Sequence, residues 1–167
     1  IGIVGIGWLG HFGILFALTL GADKVYAISC TRSKESDARK MGATDFIATS
    51  EPEWLPKNMQ TLDLIVCTAN DTSIPMSQYL TLLKVSGTLV QVGAPEGGHQ
   101  NFDLFPLLLN NTSLTGSLTG GRQEIKDMLE LAAKKTIKSW VEARPMSAVN
   151  EVLQLMENGK ALQICPC

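Results

Sequence analysis

No cluster of lysine or arginine breaks the charge balance of this chain, in which 14 Lys and Arg stand against 16 Asp and Glu, for a formal charge of −2 and a pI near 5.7. The electrostatic footprint of a nucleic-acid binder is missing, so duplex or RNA binding is not expected. Long apolar runs are missing too. The stretch LFPLLL at 104–109 falls far short of the roughly 18 residues that a membrane span requires. No basic region or small-residue cleavage site accompanies the first apolar residues, which predicts a reduced, cytoplasmic setting. Cys30, Cys67, Cys165 and Cys167 form no CxxC with a matching second pair, and none stands at metal spacing from His11 or His99. No metal site is therefore expected in the chain. The two histidines are expected to pack or to cap rather than to catalyse. Internal repeats, low-complexity tracts and flexible linkers are also lacking.

What is present is one core's worth of apolar residues: 167 residues with 45% hydrophobic content suit a single globular domain. The runs IGIVG (1–5), KVYAIS (24–29), DFIAT (45–49), LDLIVCTA (62–69) and GTLVQVG (87–93) are short and β-branched, as strands buried on both faces are. Between the first two, Leu9, Phe12, Gly13, Phe16, Ala17 and Leu20 recur at steps of three and four, which predicts one face of a helix closed by Gly21. Helical stretches follow at 33–41 and 76–84. This alternation predicts an α/β fold, a Rossmann-type doubly wound parallel sheet in a single domain over 1–167. Beyond Gly93 the pattern predicts a short apolar segment at 102–109 and a strand at 113–118. An amphipathic helix after Gly121 carries Ile125, Met128, Leu129, Ala132 and Ala133 on its apolar side. WVEAR (140–144) reads as a further strand, and a last helix has Val149, Val152, Leu153 and Met156 on one side and stops at Asn158-Gly159.

Chemistry enters with Gly5-x-Gly7-x-x-Gly10, which follows the first strand directly and opens the first helix. Gly5 permits a tight turn, Gly7 lets the backbone approach a pyrophosphate, and Gly10 lets helix and strand pack closely. The helix N-terminus adds unpaired N–H groups and the positive end of its dipole. An NAD site would place Asp or Glu at the end of the second strand to bind the ribose 2′-hydroxyl. Here Ser29 stands there. Cys30, Thr31, Arg32, Ser33 and Lys34 follow, a loop of cations and hydroxyls suited to a 2′-phosphate. NADP(H) is the expected cofactor.

At this point the sequence resembles the zinc-dependent medium-chain alcohol dehydrogenases, specifically their NADP-dependent, cinnamyl-alcohol-dehydrogenase-like branch. The resemblance is carried by GIGWLGHFG, AIS with its hydroxyl and basic loop, KMGATDFIAT, LDLIVCTA, YLTLLKVSGTLVQVGAP, and LTGSLTG followed by EIKDMLELAA. It implies a cofactor domain inserted between two parts of a catalytic domain. Gly5, Ile6, Gly7, Trp8, Leu9 and Gly10 would hold the pyrophosphate, and Ser29, Arg32, Ser33 and Lys34 would line the 2′-phosphate pocket. Thr68 would lie near the adenosine side, and Gly93 with Ser117, Leu118 and Thr119 near the nicotinamide half. The strand near Leu114 to Leu118 would pair two copies as a homodimer. The family's zinc ligands and proton relay lie upstream of the matched segment, so the resemblance implies zinc only in a full-length parent, and no catalytic residue here. Hydride transfer between NADP(H) and an aldehyde or primary alcohol substrate would then need the missing domain.

Two features depart from that pattern. Trp8 stands where the branch has another glycine, and its indole either crowds the cofactor or a neighbouring domain or simply lies over the turn. The tail at 162–167 is atypical, because the family ends in a strand resembling ARYRYVLV. Leu-Gln-Ile-Cys-Pro-Cys, written CTA CAG ATA TGT CCT TGT, reads one base over as Tyr-Arg-Tyr-Val-Leu, which predicts a one-base frameshift after Ala161. Pro166 in that segment cannot donate a ladder hydrogen bond. Three identities remain open at this level: a fragment of a complete reductase, a stand-alone NADP-binding module, and a Rossmann scaffold that has lost its ligand.

Overall fold

The computed structural model describes residues 1–95, 102–157 and 164–166. Six strands form one parallel sheet: β1 (Gly2–Val4), β2 (Tyr26–Ser29), β3 (Asp45–Ala48), β4 (Leu62–Cys67), β5 (Leu83–Gln91) and β6 (Ser113–Gly116), in the order β3-β2-β1-β4-β5-β6. The chain runs outward from β1 to one edge and then restarts at β4 beside β1. That reversal opens a crevice between the loops at the carboxyl ends of β1 and β4, where open α/β sheets bind their ligands.

Both faces of the sheet are covered. On one side Ile3, Val25, Ala27 and Phe46 pack with Ile14 and Ala17 of α1 (Trp8–Thr19) and Ala38 of α2 (Glu35–Lys40). On the other, Ile28, Ile47, Ile65 and Leu89 meet Met76, Tyr79, Leu80 and Leu82 of α4 (Met76–Leu82). Full burial of an isoleucine such as Ile65 is worth about 1.5–3 kcal/mol, which explains why these strands are runs of branched apolar residues rather than alternating patterns.

Two local expectations are corrected and one element is added. The buried face of α1 is Gly10, His11, Ile14 and Ala17, while Leu9 and Leu20 are exposed and Phe12 and Phe16 half-buried. The helix is apolar nearly all round, so periodicity did not select a face. Close approach to the sheet does: a Cβ on Gly13 would lie 3.1 Å from the Ile3 side chain, so small residues turn inward. Next, α4 stops at Leu82 and β5 begins at Leu83, four residues earlier than GTLVQVG suggests. Leu83 pairs with Leu62 before an irregularity in the ladder, and Ser86 there takes a left-handed φ of 63°. Finally, α3 (Trp54–Asn58) is a short helix with Pro56 inside it that sequence reasoning did not anticipate.

The remaining elements are α5 (Phe105–Asn110), α6 (Arg122–Lys135), β7 (Glu142–Arg144), α7 (Val149–Glu157) and β8 (Ile164–Pro166). Glu124 accepts the N–H of Gly121 and so closes the start of α6. None of α6 is buried, and Ile125, Met128 and Leu129 face outward. In α7, Val152 is buried and Leu153 is not; the expected stop at Asn158-Gly159 lies outside the described residues. β8 pairs in parallel with β7, with Pro166 opposite Arg144 at its last position. The tail thus holds a strand despite its proline, because a missing N–H is tolerated at a strand end. Residues 161–163 and Cys167 lie outside the described residues. No helix among the described residues is long and apolar enough to cross a membrane.

Candidate functional site

The turn from β1 into α1 is built on backbone contacts that only glycine permits. Gly5 adopts φ +85°, and its N–H donates to the Ile28 carbonyl at 3.0 Å. A Cβ on Gly10 would stand 1.8 Å from the Gly5 carbonyl oxygen, so helix and turn touch main chain to main chain. Gly7 is different. A Cβ there would meet nothing within 4 Å; the space above the turn is open. The first α-helical hydrogen bond runs from His11 N–H to Gly7 O at 3.1 Å, and no side chain caps the helix. The N–H groups of its first turn are therefore presented toward that space.

Thr68, just beyond β4, locks this turn from below. Its hydroxyl lies 2.9 Å from both the Val4 and Gly5 carbonyl oxygens and donates its proton between them. Gly93, beyond β5, packs equally tightly, since a Cβ on it would lie 2.1 Å from the Ala69 carbonyl oxygen. The Gln91 amide donates to Ala69 O at 3.2 Å and Gly93 O at 2.7 Å and ties the two loops together. Thr68→Val keeps the shape and leaves those carbonyls without their shared donor. The expected cost is about 1–2 kcal/mol, read as a lower urea midpoint with an unchanged m-value, and Thr68→Ser should recover most of it.

Above this floor lies a cleft of about 820 Å³, a size suited to a cofactor-sized ligand. The structure brings Gly5, Ile6, Gly7, Trp8, Leu9, Ser29, Lys34, Thr68 and Gly93 to it. Gly10 lies beneath, in the packing just described. Trp8 borders the cleft from the first turn of α1, about half exposed, and its carbonyl accepts from His11 Nδ1 at 2.7 Å. Trp8 thus borders the cleft without being buried in it. Burial holds His11 below the ordinary imidazole pKa, so a neutral, packed ring is its folded form.

Five expected residues are elsewhere. Arg32 does not line the cleft: its guanidinium is held by Glu51 and Glu35. Ser33 shares a hydrogen bond of 2.9 Å with Thr31 on the exposed side of the loop. Leu118 and Thr119 are exposed past β6, outside the cleft, and Ser117 donates its N–H to Gln91 O at 3.0 Å. Sequence reasoning missed a second set of lining residues: Cys30, Thr49, Asn70, Asp71, Ile74, Pro75 and Tyr79. Most of them follow the carboxyl ends of β2, β3 and β4, a position that the strand assignment alone made readable. Burial pushes the Tyr79 phenol above its usual range, with Cys67 and Cys30 nearby and a Thr49 hydrogen bond opposing. It is a neutral wall of the cleft.

Among the described residues that line the cleft, Lys34 is the one cationic side chain. The carboxylates of Glu35 and Glu51 are held below their ordinary pKa by hydrogen bonds from Arg32, and the Arg32 guanidinium is correspondingly raised. No group of three His, Cys, Asp or Glu gathers at metal-binding distance among the described residues.

The geometry can be compared with known proteins. The zinc-binding dehydrogenase family matches residues 9–134. The NADP-dependent alcohol dehydrogenase 6 of Saccharomyces cerevisiae is 38% identical over 163 residues, 95% of this chain and 45% of that protein. A probable mannitol dehydrogenase of Mesembryanthemum crystallinum is 38% identical over 160 residues, 95% of this chain and 44% of that one. Among solved structures, a cinnamyl alcohol dehydrogenase of Sorghum bicolor superposes with a TM-score of 0.90 at 26% identity, covering 98% of this chain and 46% of its own. One from Helicobacter pylori, complexed with NADP(H), gives 0.82 at 28%, covering 98% and 45%. The chain spans a little under half the length of these relatives. Its glycine turn, its sheet order and its match across 9–134 agree, and the chain belongs to the zinc-binding dehydrogenase family.

Proposed function

We propose that this chain is the NADP(H)-binding part of an alcohol dehydrogenase or aldehyde reductase. The single observation that carries the reading is the open space over Gly7, at the start of a twelve-residue helix on the crevice between β1 and β4. That open space fits a pyrophosphate, since a Cβ on Gly7 would project into it and the helix N–H groups face it. At the end of β2 a serine replaces the carboxylate that would select an unphosphorylated ribose, and Lys34 supplies positive charge beside it.

Bound there, the dinucleotide would supply hydride chemistry between its nicotinamide and a primary alcohol or aldehyde. The chain's own residues would do the rest of the holding. Trp8 and Leu9 would border the phosphates, Tyr79, Ile74 and Pro75 would wall off water, and Gly93 would keep the floor low enough for a planar ring. Carbonyl polarisation by zinc and the accompanying proton transfer we assign to the part of the relatives' length that this chain does not match. The exposed edge strand β6 fits the homodimer proposal, because one of its sides has no partner strand among the described residues. An exposed thiol at Cys30 and a buried one at Cys67, both free, accord with a cytoplasmic setting.

Calorimetric titration with NADPH and NADH tests the reading. NADPH should bind more tightly by roughly tenfold or more, the worth of one charge-assisted contact of about 1.5–3 kcal/mol. Equal affinities would overturn the NADP assignment, and binding of neither would overturn the cofactor reading altogether. Gly7→Ala separates binding from folding. Its stability should stay within about 0.5 kcal/mol of the parent, while NADPH affinity falls roughly tenfold because one N–H contact to phosphate is held off.

A further inference from the structure

The loop after β2 carries two cations, and the structure treats them differently. Lys34 faces the cleft. Arg32, two residues earlier, presents Nε and Nη2 to the two carboxylate oxygens of Glu51, with the second contact at 2.8 Å, and gives Nη1 to Glu35 Oε2 at 2.6 Å. A planar guanidinium gripping two oxygens of one anion is also the way arginine binds a phosphate. Here the fork is already filled by the protein's own carboxylate.

That pairing is built into the sheet. Thr49 N–H donates to Ser29 O at 2.9 Å and Ser50 N–H to Cys30 O at 3.0 Å, which extends the β2–β3 ladder past its last paired residues. Glu51 is thereby delivered beside Arg32, at the same carboxyl-end rim as Ser29 and Lys34. Glu35 has a second commitment, since its other oxygen accepts from Arg39 Nε at 3.0 Å. Glu51 is the carboxylate whose two oxygens both go to the Arg32 fork. Arg32 and Glu51 are also partly exposed, at 50% and 41% of their side chains, so solvent screens the pair and the exchange of one anion for another is not blocked by packing.

We propose that Glu51 is a specificity-determining residue of the nucleotide site: its carboxylate occupies the guanidinium fork that a 2′-phosphate on the adenosine ribose would otherwise engage. It thereby sets how strongly the chain prefers phosphorylated over unphosphorylated dinucleotide. The inference rests on the dinucleotide-binding reading above. In the parent chain Arg32 gains little by trading one anion for another, and discrimination falls mainly to Lys34. With Glu51 neutralised, Arg32 joins Lys34 at the phosphate.

A double-mutant cycle with NADPH, NADH and the fragment pair adenosine 2′,5′-bisphosphate and AMP tests this. Glu51→Gln should raise affinity for NADPH and for the bisphosphate by roughly fivefold to tenfold, within the range of one charged hydrogen-bonded contact, and leave NADH and AMP within about twofold. Glu51→Ala should do the same, which shows that the gain does not come from the new amide. Arg32→Ala alone should change NADPH affinity by less than about twofold, and Arg32→Ala combined with Glu51→Gln should erase the gain. A gain that persists without Arg32 would show a general field effect and overturn the proposal, as would no gain at all. Failure of the parent chain to bind either nucleotide would overturn the underlying reading as well, and is distinguishable because it appears before any substitution is made.

Discussion

Gly10→Ala is expected to cost about 3 kcal/mol of stability or more and to abolish nucleotide binding. The added Cβ would lie 1.8 Å from the Gly5 carbonyl oxygen and 2.9 Å from its carbon. Neither atom is the loose end of a side chain. Gly5 is anchored by its N–H to Ile28 O, by the Thr68 hydroxyl on its carbonyl, and by a left-handed φ that leaves the turn little freedom. Relief requires α1 to lift off β1, and the helix cannot lift without exposing Ile14 and Ala17, both buried against the sheet. Chemical denaturation followed by circular dichroism should show the lowered midpoint. Gly7→Ala is the paired control, three residues away in the same motif with open space instead of backbone before it. Equal stability of the two variants would contradict this account of the turn.

Lys34→Glu is expected to invert nucleotide preference. Removing the cation forfeits a charge-assisted contact of about 1.5–3 kcal/mol, roughly ten- to hundredfold in NADPH affinity, and the new carboxylate repels the same phosphate across a short distance. NADH carries a neutral 2′-hydroxyl there in place of the phosphate, so its affinity should not fall by more than about threefold. The variant then binds NADH more tightly than NADPH. Folding should be untouched, because Lys34 lies on the rim and belongs to neither core cluster. Fluorescence titration of both nucleotides decides the matter: a variant that keeps its NADPH preference would show that Lys34 does not face the 2′-phosphate.

Much of this was readable in the chain before any coordinates. The strand–glycine turn–helix at residues 2–19 has a local signature: Gly5 is demanded by its own left-handed φ and Gly10 by the Gly5 carbonyl five residues away, so a short window holds that much of the information. The β-branched runs announced their strands for the same reason. What could not be read is what depends on pairing between distant segments. Arg32 looked free because Glu51 is 19 residues away and meets it only when β2 and β3 align. The inward face of α1 was ambiguous because Leu9, Phe12 and Phe16 are as apolar as Ile14, and the choice belongs to the small residues that Ile3 can approach. The short helix α3 carries a proline, which argues against helix at the level of propensity. The walls contributed by Asn70, Ile74 and Tyr79 depend on where β4 ends and on how the chain after it folds back over the crevice, which no local pattern in those residues announces.

The contacts among Gly5, Gly10, Thr68, Ala69 and Gly93 have a further consequence. At the bottom of the cleft main chain lies directly on main chain, with almost no layer of side chains between the ends of β1, β4 and β5. Such a floor offers a ligand only peptide dipoles, and those are the same whichever residues are encoded around it. In the proposed reading, the holding of a pyrophosphate is thereby uncoupled from the choice of nucleotide. Ser29, Cys30, Lys34, Thr49 and the Arg32–Glu51 pair can all be exchanged at the rim without disturbing the surface on which every dinucleotide would rest.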